Sequence, residues 1–280
     1  MSLEVMLVVL FSALLHVSWN VLVRNSTDKF SSTLAVVLGA GLLAVPLLVW
    51  LPLPSVPSYP YILASGLIHV VYFSLVAASY RGAELSLAYP LMRGAAPALA
   101  ALTALLWLGE SPATMGWLGI TFICGGVLSL AWGAWKTSPT HAGAVVLALV
   151  NAGIVASYTV IDGHGARLSD HAPAYTGWTF VLTALLMAAA QGVKRGRSAL
   201  AAVGPIWRTA LVGGACTLLA YGMVLWAMTH APIAVVAALR ESSIVFAALI
   251  GVVFLKERIS RLRWLAIGLV CAGAVCIKIS

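Results

Sequence analysis

Long apolar stretches alternate with short segments that contain polar residues or proline along the whole chain. Each stretch holds about 20 residues, the length at which an α-helix crosses the hydrocarbon core of a bilayer. Strands that alternate apolar and polar side chains, as in outer-membrane barrels, are absent from the sequence, so the pattern predicts a helical bundle. We predict ten spans, at residues 3–22, 33–52, 61–79, 88–107, 114–134, 142–161, 174–192, 207–228, 233–254 and 263–279.

Composition agrees with a lipid environment. Apolar residues make up 62% of the 280-residue chain and charged residues 9%, whereas soluble domains average about 45–50% and about 25%. So few charges cannot cover a water-exposed surface, which excludes a soluble enzyme, a nucleic-acid-binding domain and a disordered protein. We expect an all-α integral membrane protein that crosses the lipid bilayer many times. Its expected location is the cell membrane, which in a bacterium is the inner membrane.

The chain repeats itself at a spacing of 147 residues, the separation of Arg93 and Arg240. Between residues 93–126 and 240–273, 11 of 34 aligned positions are identical. Each repeat holds five spans, and because five is odd, the second repeat starts from the opposite side of the membrane. We therefore predict two inverted five-helix repeats, residues 1–134 and 135–280, an arrangement by which many secondary transporters form one site at the midplane. One chain carries both repeats, so an oligomer is not required.

In its number of spans, its repeat and three short motifs, the sequence resembles a known family. The ten spans, the five-plus-five inverted repeat and three short motifs are similar to the EamA-like families of the drug/metabolite transporter superfamily. The motifs are Ser18-Trp19-Asn20 in span one and the ends of spans four and nine, Leu108-Gly109-Glu110 and Leu255-Lys256-Glu257. The resemblance implies a secondary transporter of small organic metabolites, often an exporter, with a central cavity lined by both repeats.

Three charged side chains inside the predicted spans are the first candidates for a site, because an ionisable group at mid-helix costs about 2.5–3.5 kcal/mol. Arg93 and Arg240 enter from opposite leaflets, and they can hold a carboxylate or a phosphate near the midplane or extend to the nearest interface. Glu241, whose repeat mate is Gly94, can contact substrate, carry a coupling proton or pair permanently with an arginine. Helical neighbours point about 100° apart, so Arg93 is a better partner for Glu241 than Arg240.

A polar and aromatic set completes the predicted lining of the cavity. Aromatic rings with polar tips can stack on a cationic or planar substrate. A histidine titrates near neutral pH and can carry a proton, although it can also simply bind a neighbouring helix. The members of this set are His16, Trp19, Asn20, Tyr72, Tyr158, Tyr221 and Ser242.

Nucleotide-binding and hydrolase motifs are missing from the sequence, so we expect neither an ATP-driven pump nor an enzyme. The four cysteines lie in apolar runs without a CxxC pair, so we expect no metal and no cofactor. The main alternative is a lipid-modifying membrane enzyme. It depends on His164, Arg167, Asp170 and His171, which the sequence places in a loop after span six, with Asp162 beside it. A second alternative is a subunit of a lipid-linked-sugar flippase.

Basic residues predict the orientation. Loops after odd-numbered spans carry 12 lysines and arginines, whereas the termini and the loops after even-numbered spans carry 2, Arg167 and Lys278. The positive-inside rule therefore predicts that both termini lie outside the cytoplasm. The family resemblance implies cytoplasmic termini instead. We give more weight to the charge distribution and expect external termini.

Overall fold

The structure, a computed structural model, describes residues 1–24, 26, 28–79, 85–137, 142–196, 203–256 and 260–280. Regular structure in these ranges is entirely helical. The α-helices are α1 (Leu3–Arg24), α2 (Lys29–Trp50), α3 (Tyr59–Ser79), α4 (Leu85–Leu108), α5 (Thr114–Thr137), α6 (Ala142–Leu168), α7 (Ala172–Arg195), α8 (Trp207–His230), α9 (Ile233–Leu239), α10 (Ser243–Leu255) and α11 (Arg261–Ile279).

The helices follow the predicted spans in order. The ninth span consists of α9 and α10, which a 3-10 turn at Arg240–Ser242 joins into one segment. Nine segments within the described ranges are long and apolar enough to cross a membrane, and α3, with 21 residues, occupies the place of the remaining span. The prediction of an all-α membrane fold is therefore confirmed.

Helix α6 is longer than predicted. The sequence predicts its end at residue 161, because Gly163 and Gly165 are typical of a helix end, but the helix continues to Leu168. A glycine inside a helix costs only about 1 kcal/mol, and Gly165 has a packing role. A Cβ atom at this position would lie 2.6 Å from Cε2 of Tyr175 on α7. The predicted end of span six before Asp162 is therefore wrong, and this residue lies inside the helix.

The chain divides into two compact units, each of which draws on both halves of the sequence. The first unit contains residues 1–14, 78–160 and 230–280, and the second contains residues 15–77 and 161–229. These units differ from the two predicted repeats, residues 1–134 and 135–280, and the repeat division stays a prediction.

In the first unit, α5 and α11 pack closely through small residues. A Cβ atom at Gly119 would lie 2.7 Å from the carbonyl oxygen of Gly273, and one at Gly126 would lie 2.9 Å from that of Ala266. Small residues allow helix backbones to approach in a membrane, where association depends on van der Waals packing rather than on the exclusion of water. These glycines hold the scaffold on which α4, α9 and α10 carry their charged residues.

In the second unit, α2, α7 and α8 surround a small apolar core. Leu34 and Val37 of α2 are buried against Ala184 and Met187 of α7. Helix α2 begins at an N-cap, Asp28, whose side chain accepts hydrogen bonds from the backbone of the first turn of the helix. This packing positions α7 and α8, whose tyrosines reach the polar interior of the unit.

Candidate functional site

Two of the charged residues predicted from the sequence meet in the first unit. Nε of Arg93 on α4 lies 2.9 Å from Oε2 of Glu241, and the two side chains are only 7% and 5% exposed. Arg93 is thus the partner of Glu241, as the helical geometry of the sequence indicates.

A second arginine lies near the ion pair. Arg240 is close enough for its charge to act on the Glu241 carboxylate. Nη2 of Arg93 also donates a hydrogen bond of 3.4 Å to Oγ of Ser243. The buried hydroxyl of Ser242 has no hydrogen-bond partner among the described residues. Guanidinium groups and a hydroxyl donor are suited to a carboxylate or phosphate group.

The charged cluster coincides with a change in helix type. Helix α9 ends at Leu239, the 3-10 turn holds Arg240 and Glu241, and α10 begins at Ser243. The corresponding part of the first repeat is one continuous helix, α4, even though it contains Pro90 and Pro97. A 3-10 segment inside a longer helix often marks a hinge, and interrupted helices carry the binding sites of many secondary transporters.

Three predicted residues on α1 form a local motif within the second unit. Nε1 of Trp19 donates to Nδ1 of His16 at 3.3 Å, and Nδ2 of Asn20 donates to the backbone oxygen of His16 at 2.7 Å. These bonds join side chains one helical turn apart. Tyr158 is buried on the part of α6 that belongs to the first unit. The predicted role of these four residues in lining a cavity stays a prediction.

The two remaining predicted tyrosines share a neighbour, His69 of α3. The centroid of the His69 ring lies 6.4 Å from that of Tyr72 and 5.9 Å from that of Tyr221. Nδ1 of His69 also lies 3.1 Å from the hydroxyl of Ser65, one turn earlier on α3. The structure therefore brings Tyr72 and Tyr221 to a histidine that can exchange protons.

A buried carboxylate that the sequence did not single out as a site residue completes this cluster. Asp162 is 0% exposed. The hydroxyl of Tyr175 donates to its Oδ1 at 2.9 Å, the hydroxyl of Tyr221 donates to its Oδ2, and the Ser65 hydroxyl lies near it. The available signal was the position of Asp162, which directly follows the predicted sixth span and is an ionisable residue.

The polar residues on which the enzyme alternative depends are divided between a helix and a short connection. His164 and Arg167 lie on α6, and Nε of Arg167 donates to the backbone oxygen of Met228 on α8 at 2.7 Å. Asp170 and His171 lie between α6 and α7, where Nδ1 of His171 accepts a hydrogen bond from the first turn of α7. These residues therefore do not lie together in one loop, which is the arrangement that the enzyme alternative requires.

Comparison with known proteins agrees with this architecture. The sequence profile of the EamA-like transporter family matches residues 142–279, which confirms the family resemblance. No curated protein matches the sequence. Among solved structures, one described only as the crystal structure of a protein has a TM-score of 0.73 and 19% sequence identity, over 100% of this chain and 98% of that chain. At this identity the likeness shows the fold alone.

Proposed function

We propose that this chain, an EamA-like membrane transporter by its second half, is a secondary active transporter of small organic metabolites that carry an anionic group. We further propose that it is proton-coupled. The observation that supports this most is the buried ion pair between Arg93 and Glu241, next to a second arginine at the interruption of the ninth span. Export and a location in the cell membrane are proposed from the family resemblance.

The ion pair can act as an exchange site. Removing one partner of a buried pair is strongly unfavourable, because the other charge is left uncompensated. A carboxylate or phosphate of the substrate can take the place of Glu241 on Arg93, with Arg240 balancing the additional negative charge. Glu241 then contacts a cationic group of the substrate or takes up a proton. Substrate entry and rearrangement of the pair are coupled in this way.

The interrupted ninth span gives this exchange a mechanical consequence. Glu241 lies in the 3-10 turn between α9 and α10, while Arg93 lies on the continuous helix α4. Releasing the pair frees the turn from α4, so that α10 can change its direction relative to α9. We propose that this bend contributes to alternating access, the movement by which transporters with inverted repeats expose one site to each side in turn.

A ligand screen on the purified protein tests the proposed substrate class. Thermal unfolding in detergent is measured with amino acids, organic acids, phosphonates, nucleosides and amines. A ligand that binds only the folded protein stabilises it, by about 2.7 kcal/mol at 100 times its Kd. We expect stabilisation by compounds with an anionic group and its loss in Arg93→Ala and Glu241→Gln. Arg208→Ala, which changes an exposed arginine on α8, should keep the response. Stabilisation by amines alone would contradict the proposed class.

Transport itself is tested in proteoliposomes with a compound found in that screen. We expect an imposed pH gradient to drive its accumulation and a protonophore to abolish this effect. Substrate moving against the direction of proton flow would support export. Accumulation that is insensitive to the protonophore would refute proton coupling while leaving the substrate class intact.

A further inference from the structure

The second unit contains a carboxylate whose surroundings differ from those of Glu241. Three helices place hydroxyl groups around Asp162: Tyr175 of α7 and Tyr221 of α8 donate hydrogen bonds to it, and Ser65 of α3 lies close by. The charge that acts on it is that of His69, on α3. Hydroxyl groups can turn to accept or donate, so this shell can adapt to an ionised or a neutral carboxyl group. A permanent ion pair with an arginine has no such freedom.

Among the ionisable groups around Asp162, His69 is the one best placed to exchange a proton with it. On the same helix, Arg167 is bonded to the backbone of α8, and the His164 ring packs against Tyr61, with centroids 5.2 Å apart. From the packed helices, α7 and α8 present tyrosine hydroxyls, and α3 presents the imidazole. The Ser65 hydroxyl contacts both Asp162 and His69, so it joins the two groups.

A row of hydroxyls on α7 continues from this cluster. Thr179 and Thr183 follow Tyr175 at intervals of four residues, which puts the three on one face of the helix and spreads them over about 12 Å. Both threonines are 2% exposed. The Thr179 hydroxyl lies beside the hydroxyl of Tyr175, whereas the Thr183 hydroxyl has no hydrogen-bond partner among the described residues. A buried hydroxyl without a partner is unfavourable, so the Thr183 hydroxyl is suited to hydrogen bonding with water.

We propose that Asp162 and His69 form the binding site of the coupling proton, an inference that rests on the proposed proton-coupled transport. Water held by Thr183 delivers the proton along the face of α7 that carries Thr179 and Tyr175: an O–H bond of a hydronium ion breaks, an O–H bond forms on a carboxyl oxygen of Asp162, and the imidazole takes up or returns the proton through Ser65. The protonated carboxyl group then donates a hydrogen bond itself. Tyr175 or Tyr221 must give up its donor role, which links proton binding to α7 and α8.

Infrared difference spectroscopy on the full-length protein in lipid tests the site without a substrate. The carbonyl stretch of a protonated carboxylic acid is recorded while the pH is changed. We expect one band that appears on acidification, is lost in Asp162→Asn and is retained in Glu241→Gln. The matched control is Asp170→Asn, which changes an exposed aspartate that also accepts a hydroxyl hydrogen bond, from Ser55. A band that vanishes in Glu241→Gln and persists in Asp162→Asn would overturn the assignment.

A second variant covers the case in which Asp162→Asn does not fold. His69→Gln keeps the carboxylate and removes the second proton carrier, so we expect the same band with a titration midpoint displaced by at least one pH unit. An unchanged midpoint would overturn the role of His69. Because the spectra require no transport, a titrating Asp162 band together with protonophore-insensitive accumulation would refute the proposed coupling alone. Proton-driven accumulation without such a band would refute this site alone.

Discussion

Glu241 occupies the repeat position of Gly94, and its carboxylate pairs with Arg93, the residue immediately before that glycine. The equivalent second pair would join Arg240 to an acid at position 94, where this chain has glycine. The two repeat positions thus carry two arginines and a single acid, and this asymmetry is the reason for expecting an anionic ligand.

The ion pair gives a prediction that separates stability from binding. Arg93→Met leaves the Glu241 carboxylate buried without its partner, and we expect a loss of about 3–5 kcal/mol in the free energy of unfolding. The double variant Arg93→Met/Glu241→Leu removes both charges, and we expect stability close to that of the unchanged protein. Chemical unfolding in detergent measures the free energy of unfolding of the double variant and of the single variants Arg93→Met and Glu241→Leu.

The same double variant should not respond to the ligands found in the screen, because it has lost the exchange site while keeping the fold. A double variant at least as unstable as the sum of the two single variants would mean that the pair has no coupling energy. Arg93 and Glu241 would then contribute to stability independently of each other and would not form an exchange site.

The parts of this fold that could be read from the sequence depend on local rules. Apolar length determines the number and order of the helices, and helical geometry makes Arg93 a better partner for Glu241 than Arg240. Asp162 could not be found in this way, because the decisive fact is a contact between distant helices. Gly165 is unfavourable to α6 on its own, but it makes room for the Tyr175 ring. The 3-10 turn at Arg240–Ser242 was equally hidden, since it contains neither proline nor glycine.

Glu110 gives a prediction about the scaffold. Its Oε1 accepts a hydrogen bond of 2.9 Å from the backbone N–H of Ile233, the first residue of α9. The carboxylate thus serves as a cap for a helix that its own N-cap residue, Pro232, does not cap with a side chain. We expect Glu110→Ala to lower the free energy of unfolding by about 0.5–2 kcal/mol. Glu110→Gln keeps an acceptor oxygen and should lose less, so equal losses in the two variants would contradict a capping role.

The orientation is a prediction that reporter fusions can decide. Loops after odd-numbered spans carry 12 basic residues, whereas the termini and the loops after even-numbered spans carry 2. This distribution predicts a C-terminus outside the cytoplasm. A reporter that is active only outside the cytoplasm should therefore work when fused after Ser280 and fail when fused after Thr137, at the end of the fifth helix. The reverse pattern would show that this chain inserts with cytoplasmic termini, as the family resemblance implies.

Gly165 gives the sharpest test of the Asp162 cluster that uses stability alone. A methyl group at this position would collide with the Tyr175 ring, since a Cβ atom would lie 2.6 Å from its Cε2. In Gly165→Ala the ring must therefore move, and its hydroxyl must leave Oδ1 of Asp162. Overpacking costs about 1–3 kcal/mol, and the buried carboxylate loses one of its donors as well. We expect a destabilisation of at least about 1 kcal/mol by chemical unfolding in detergent.

The same helix offers a matched control for this substitution. A Cβ atom at Gly153 would meet nothing within 4 Å, so Gly153→Ala changes only the helix propensity, which favours alanine by up to about 1 kcal/mol. We expect Gly153→Ala to be neutral or stabilising and Gly165→Ala to be destabilising, although the two substitutions are chemically identical. In the infrared experiment, only Gly165→Ala should move the Asp162 band, because only there does the carboxyl group lose a tyrosine donor. Equal effects of the two variants on stability and on the band would mean that Tyr175 does not hold Asp162.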